Sequence, residues 1–222
     1  MIRLYGTDCD QVATVLKAIN GRASIFAGIF DIKDIQKEVD MLASAVNGGW
    51  NRISTVSVGN EQVNSGAASV EQVTSAIGAA RSALRAKGYT GPVITVDTMM
   101  AIQSHPQLCE ASDYCAINCH AFFDGNVLPS DAGKFVSEWA QKISKAAGGK
   151  RCVVAESGWP TQGSVNGKAI PGQAQHRQAI QSLKASFSKD LILFTLYNDM
   201  WKSDRADTHS AEKYWGMRAM VK

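Results

Sequence analysis

Seven short apolar or β-branched runs recur along the chain, and most are parted by a segment of helical period. This alternation constrains the fold more than any other feature. The runs are Ile2–Tyr5, Ser24–Ile29, Ser54–Val58, Val93–Val96, Tyr114–Asn118, Cys152–Ala155 and Leu191–Tyr197, and their lengths suit strands. Between them, Val12, Val15, Leu16 and Ile19 recur at i, i+3, i+4 and i+7, and Ile35, Val39, Leu42 and Val46 nearly do. Val70, Val73, Ile77, Ala80 and Leu84 extend the pattern over four turns, opened by a capping box at Ser69 and Gln72 and stopped at Gly88. Phe135, Trp139 and Ile143 mark a further helix that ends at Gly148-Gly149, and Ile180, Leu183 and Phe187 another. Crossovers this long join parallel strands, which need helices to cover them.

Two architectures satisfy that pattern, an open doubly wound sheet and a (β/α) barrel. A doubly wound fold would place a glycine-rich phosphate loop after an early strand. Here Gly6-Thr7-Asp8-Cys9 follows the first run, with neither G-x-G-x-x-G nor G-x-x-x-x-G-K. Polar and aromatic residues instead gather at the C-terminal ends of the runs. The first delivers Tyr5 and Asp8, and Asn60 and Glu61 follow the third and Asp97 the fourth. Asn118 and His120 close the fifth, Glu156 and Trp159 follow the sixth, and Asn198, Asp199, Trp201 and Lys202 follow the last. In a parallel barrel those ends share one face, where active sites lie. With 222 residues and 45% hydrophobic content, no internal repeat and no linker, residues 1–222 read as one barrel domain.

Two glutamates end apolar strands, where an isolated carboxylate is expensive to desolvate. With two strands between theirs, Glu61 and Glu156 are expected to face each other across a barrel mouth. A separation of about 5–5.5 Å is that of a retaining glycosidase. One acid would protonate the leaving glycosidic oxygen and the other would attack the anomeric carbon. The ionised nucleophile would keep its neighbour protonated. Tyr5, Phe122, Phe123, Trp159 and Trp201 suit the apolar faces of sugars, and Asn60, Asn118, Asp199 and Lys202 suit hydroxyls. His120 reads either as a substrate contact or as a satisfied structural histidine, and Asp97 either as a sugar ligand or as a helix cap. Trp139 reads as core, and Trp50 and Trp215 as packing.

Other classes are disfavoured. The balance of 23 Lys+Arg against 20 Asp+Glu gives a formal charge of +3, too small to mark a nucleic-acid or anionic-membrane binder. No apolar run is long enough to span a bilayer, and no leader is visible before Ile2. The five cysteines, Cys9, Cys109, Cys115, Cys119 and Cys152, cannot all pair. A Cys109–Cys115 bridge is one arrangement, and a partner for Cys9 outside this sequence is another. Cys119 and His120 are neighbours on a strand and point to opposite faces, which argues against a metal site.

Val58-Gly59-Asn60-Glu61 and Glu156-Ser157-Gly158-Trp159-Pro160 resemble the two signature motifs of glycoside hydrolase family 17, β-1,3-glucan-active enzymes on a (β/α)8 barrel. Ile2–Cys9 resembles the family's second strand, especially in fungal cell-wall members. Trp201-Lys202 and Tyr214-Trp215-Gly216 resemble the region around its last strand. The resemblance implies that Glu61 is the proton donor and later base, that Glu156 is the nucleophile, and that Asn60 holds the sugar 2-hydroxyl. It places Tyr5 at the base of the cleft, Asn118 along it, and Asp199 with Lys202 as an acid–lysine pair. Phe122 stands where many relatives carry Tyr, Asp199 where Glu is usual, and Thr195 where fungal relatives often carry Glu.

A likeness that starts at the family's second strand implies a TIM-type barrel lacking its first strand and helix, with an exposed seam prone to self-association. The implied partners are β-1,3-glucan or laminari-oligosaccharides, with no nucleic acid and no membrane. The implied location is secreted or in the cell wall. The chemistry requires no metal or organic cofactor. The implied activity is glucanase when the glycosyl group passes to water, or glucanosyltransferase when it passes to another glucan. The alternative is a truncated glucan-binding fragment with little turnover.

Overall fold

The computed structural model describes residues 1–204 and 206–218. All seven expected strands form: β1 (Ile2–Arg3), β2 (Ile25–Ile29), β3 (Ile53–Asn60), β4 (Val93–Thr98), β5 (Cys115–Asn118), β6 (Cys152–Ser157) and β7 (Leu191–Leu193). They follow one another in sequence order in a single sheet. The pairs β1·β2, β2·β3, β3·β4 and β6·β7 are parallel. All five residues of β2 are buried, as expected of a parallel strand covered on both faces.

Among the described residues seven α-helices accompany the strands: α1 (Gln11–Ile19), α2 (Ile35–Val46), α3 (Val70–Ala86), α4 (Met99–Ser104), α5 (Gln107–Ala111), α6 (Ala132–Ala146) and α7 (Gln173–Ser186). The capping box that opens α3 is formed, with Gln72 N donating to Ser69 Oγ and Ser69 N to Gln72 Oε1. Val73, Ile77, Ala80 and Leu84 are buried, as the period demands. Helices α4 and α5 were not expected, since one or two turns are too short to show a period. Thr98 caps α4 by accepting from Ala101 N, and Pro106 precedes α5.

Three expectations are corrected. The last strand ends at Leu193 rather than Tyr197. Thr195 N donates to Trp215 O, Met217 N to Thr195 O and Arg218 N to Leu196 O, so the later segment takes its partners from residues 215–218. On α6 the buried hydrophobic positions are Ala132, Val136, Ala140 and Ile143. Trp139 is only half-buried, its ring beside Phe135 and under the Lys142 ammonium, because large rings hid a core stripe of smaller residues. Glu156 lies inside β6 rather than after it.

The chain divides into two compact units, residues 1–117 with 143–152, and residues 118–142 with 153–222. The first has its core in β2, β3 and β4 against α2 and α3, including Phe26, Val39, Leu42, Val56, Ile77 and Ile94. Trp50 packs there as expected, its ring 5.3 Å from that of Tyr89 and its indole N–H on Lys87 O. A Cys109–Cys115 disulfide closes the α5–β5 turn, where the Lys150 ammonium donates to Cys109 O and Ser112 O. Cys9, Cys119 and Cys152 take no part in that bridge. In the second unit Phe122, Trp159 and Trp215 form an aromatic core. Among the described residues no helix is long and apolar enough to cross a membrane.

Candidate active site

In the first unit, β3 delivers Asn60 and Glu61 through an irregularity. Its register against β4 shifts between Ser57 and Asn60, the kind of bulge that re-aims a side chain at a strand end. Gly59 makes the shift possible at φ 76, and a Cβ there would press on Gln62 and Ile32. Glu61 follows at φ 52, left-handed backbone that is uncommon for a residue other than glycine. Its N–H donates to Val96 O, and its carbonyl accepts from Ser65 N and Ser65 Oγ.

Asn60 is oriented from β1. Arg3 Nη2 donates to Asn60 Oδ1 at 2.7 Å, and the same guanidinium lies 4.4 Å from the centre of the Tyr5 ring. This contact assigns the Asn60 amide, with its oxygen toward Arg3 and its NH2 turned away. Asp8 is exposed and accepts from Gln11 Nε2 at 2.7 Å. Beside Asn60 and Glu61 opens a groove of about 1330 Å³, lined on one side by Phe30 and Lys33 and on the other by Glu71, Gln72 and Ser75 of α3. Phe30, just beyond the C-terminal end of β2, is 55% exposed.

Asp97 fits neither of its expected roles. It is 1% exposed on β4, too deep to meet a sugar, and Thr98 caps α4. Its carboxylate accepts from Val63 N, Asn64 N and Thr98 N at 3.0, 3.3 and 2.8 Å. Burial pushes its carboxyl above the ordinary aspartate value, and the three N–H donors pull it partly back.

In the second unit Glu156 is the penultimate residue of β6, again at a register shift, between Val154 and Ser157 against β7. It is 7% exposed, and His120 Nε2 stands 3.3 Å from its Oε2. The His120 ring is walled edge-on by Trp215, Phe194 and Phe123, at 4.8, 5.5 and 6.1 Å between centres. Its Nδ1 is buried without a hydrogen-bond partner. The pairing therefore assigns the proton to Nε2, since a lone pair at Nδ1 is cheaper to bury than an unmet N–H. Gly158 is required for packing, because a side chain there would run into Phe194 O and the Trp215 ring.

Asn118 ends β5 and is buried. Lys202 Nζ lies 3.4 Å from Asp199 and 3.6 Å from Glu212, with its ammonium 4.8 Å above the Phe194 ring. Trp201 is 80% exposed and offers an open ring face. Trp159 and Phe122, expected to touch sugar, do not reach the surface. Both are wholly buried, edge to face, with the Trp159 indole donating to Ile170 O. Phe122 packs against Phe123 and Trp215, two of the rings around His120. Sequence reasoning missed Arg3, Phe30 and Glu212. Arg3 and Phe30 carried a legible signal, a cation and an aromatic ring beside the strand-end cluster.

The model of the BtgE/BtgC glycoside hydrolase domain matches residues 1–216 of the chain. The chain belongs to that family. Over 98% of its length the domain is 48% identical to the cell surface mannoprotein MP65 of Candida albicans, of which it spans 58%. It is 45% identical, again over 98%, to the probable family 17 glucosidase SCW4 of Saccharomyces cerevisiae, of which it spans 56%. The domain thus covers less than two thirds of either relative. Its fold matches the Rhizomucor miehei β-1,3-glucanosyltransferase of glycoside hydrolase family 17. Against an active-site mutant of that enzyme in complex with laminaritriose, the TM-score is 0.82 at 17% identity, over 98% of this chain and 81% of the other. At that identity the likeness carries the fold, the (β/α) barrel that the polar residues at the strand ends favoured over a doubly wound sheet.

Proposed function

We propose that the domain is a retaining β-1,3-glucan-active enzyme. Glu156 attacks the anomeric carbon. The glycosidic C–O bond breaks, the leaving oxygen takes the proton of Glu61, and an ester joins Glu156 to the sugar. Glu61, now a carboxylate, takes a proton from an incoming hydroxyl, whose oxygen displaces Glu156. If that hydroxyl belongs to water the result is hydrolysis, and if it belongs to a second glucan the result is transfer. The observation that carries this reading is that both acids stand beside register shifts at the C-terminal ends of parallel strands, Glu61 with its backbone tied on both sides and Glu156 with His120 at its carboxylate. That is the end at which (β/α) barrels carry their chemistry.

The Rhizomucor miehei relative's name supports β-1,3-glucan as substrate. MP65's description as a cell surface mannoprotein supports a secreted or wall-borne location. The Asn60 NH2, turned away from Arg3, suits the sugar 2-hydroxyl. The groove beside Glu61 lies on the proton donor's side, where the leaving glucan departs and an acceptor enters, and Phe30 offers that glucan an exposed ring.

Incubation with one defined β-1,3-linked oligosaccharide, followed by mass spectrometry, tests the reading. Shorter products indicate hydrolysis, and products longer than the donor indicate transfer. Glu61→Gln and Glu156→Gln should each lower the rate at least a hundredfold, about 3 kcal/mol of transition-state stabilisation. Binding without any product would leave a glucan-binding domain and end the enzymatic reading.

A further inference from the structure

We propose that Asp97 is the positioning residue for Glu61, its buried carboxylate holding the turn that sets the direction of the Glu61 side chain. The proposal rests on the reading of Glu61 as proton donor. Left-handed backbone at a residue other than glycine costs of order 1 kcal/mol or more and persists only where its surroundings over-determine it. Around Glu61, at φ 52, they do. Before the turn, Glu61 N is tied to Val96 O at 3.0 Å. Within it, Ser65 N and Oγ close on Glu61 O at 3.0 and 2.6 Å. Between these ties, the N–H groups of Val63 and Asn64 both point at Asp97, and Asn64 Oδ1 accepts from Thr98 Oγ1 at 3.0 Å.

A carboxylate is an expensive group to keep at 1% exposure. Asp97 does not cap α4, which Thr98 does, and it is too deep for substrate. Its work is at the 63–64 turn, where one group with two acceptor oxygens meets two adjacent donors. Asn at 97 would keep one acceptor and set an NH2 donor against backbone N–H groups. The strand and helices would remain, but the turn after Glu61 would lose its anchor. A displacement of the acid by about 1 Å is enough to lower a proton-transfer rate severely.

The test compares kcat/KM of the full chain, Asp97→Asn and Glu61→Gln on two substrates with the same laminaribiosyl group. One is a laminari-oligosaccharide, whose sugar leaving group needs a proton. The other is a dinitrophenyl glycoside, whose leaving group needs none. Asp97→Asn is expected to lose about tenfold or more on the oligosaccharide and less than about threefold on the aryl glycoside, as for Glu61→Gln but milder. A general loss of folded protein lowers both rates equally, so equal losses, or none, overturn the proposal. If Glu61→Gln shows the leaving-group dependence and Asp97→Asn does not, the positioning role alone falls. If Glu61→Gln shows none, the proton-donor reading falls and takes the proposal with it. Should Asp97→Asn not fold, amide exchange in the unaltered protein decides. Val63 and Asn64 are expected to exchange about a hundredfold or more slower than in an unstructured chain, and free exchange overturns the clamp.

Discussion

His120 Nε2 lies 3.3 Å from Glu156 Oε2 in a pocket walled by Trp215, Phe194 and Phe123. A carboxylate only 7% exposed takes direction from such a donor. A hydrogen bond to a charged group contributes about 1.5–3 kcal/mol. His120→Ala is therefore expected to lower kcat about 10- to 100-fold in steady-state assays on laminari-oligosaccharides, with a smaller change in KM. His120→Gln, which keeps a donor near Nε2, should recover part of the loss. An unchanged kcat in His120→Ala would show that the contact does not serve the reaction.

Arg3 should be read through Asn60. With Asn60 Oδ1 held at 2.7 Å by Arg3, the amide is oriented with its NH2 turned the other way. Arg3→Met keeps the aliphatic stem and removes the fork. On a 2-hydroxyl substrate it should lose about tenfold in kcat/KM, the worth of about 1.4 kcal/mol. On the matching 2-deoxy substrate it should match the unaltered enzyme. Equal losses on both would assign Arg3 to packing alone.

Phe30 should set the fate of the glycosyl-enzyme. Its ring is 55% exposed beside the groove at Glu61, and on the proposed function it would favour a sugar over water there. Phe30→Ala is expected to lower the ratio of lengthened to shortened products severalfold while cleavage of the donor continues. Product ratios by mass spectrometry at fixed acceptor concentration measure it, and an unmoved ratio would place the acceptor elsewhere.

Asp97 gives a pH dependence of stability with a definite sign. Burial raises its carboxyl above the ordinary value of 3.8. A carboxyl raised on folding contributes stability that is fully present below its unfolded pKa and lost as pH rises through its folded one. Asp97→Asn does not titrate at this position. The melting temperature of the unaltered protein minus that of Asp97→Asn should fall as pH rises from about 3 and level off once Asp97 is ionised. A difference that grows with pH would mean that the three N–H donors outweigh burial.

The Cys109–Cys115 bridge closes a loop of sequence separation 6. For so short a loop, the reduction in unfolded-chain entropy is worth about 2 kcal/mol. Replacing both cysteines by alanine should lower stability by about that amount in urea titrations. A change below about 0.5 kcal/mol would show that the turn is held without it, by Lys150 and its carbonyl partners.

The sequence by itself determined the seven strands, five of the seven helices and both glutamate positions. These are local quantities: apolar period, capping residues and the polar residue at the end of each run. Gly59 and Gly158 were legible because each sits in a motif, although the reason each must be glycine lies in chain contacts. Tertiary structure decided which neighbours each side chain meets. It buried Trp159 and Phe122, which composition made look like sugar platforms, and it left Phe30 in the open. It set Arg3 on Asn60, 57 residues away in sequence, and Asp97 beneath the turn after Glu61. The physical reason is that a strand's period specifies which face a residue occupies, whereas the register between strands, shifted at both glutamates, specifies what it touches.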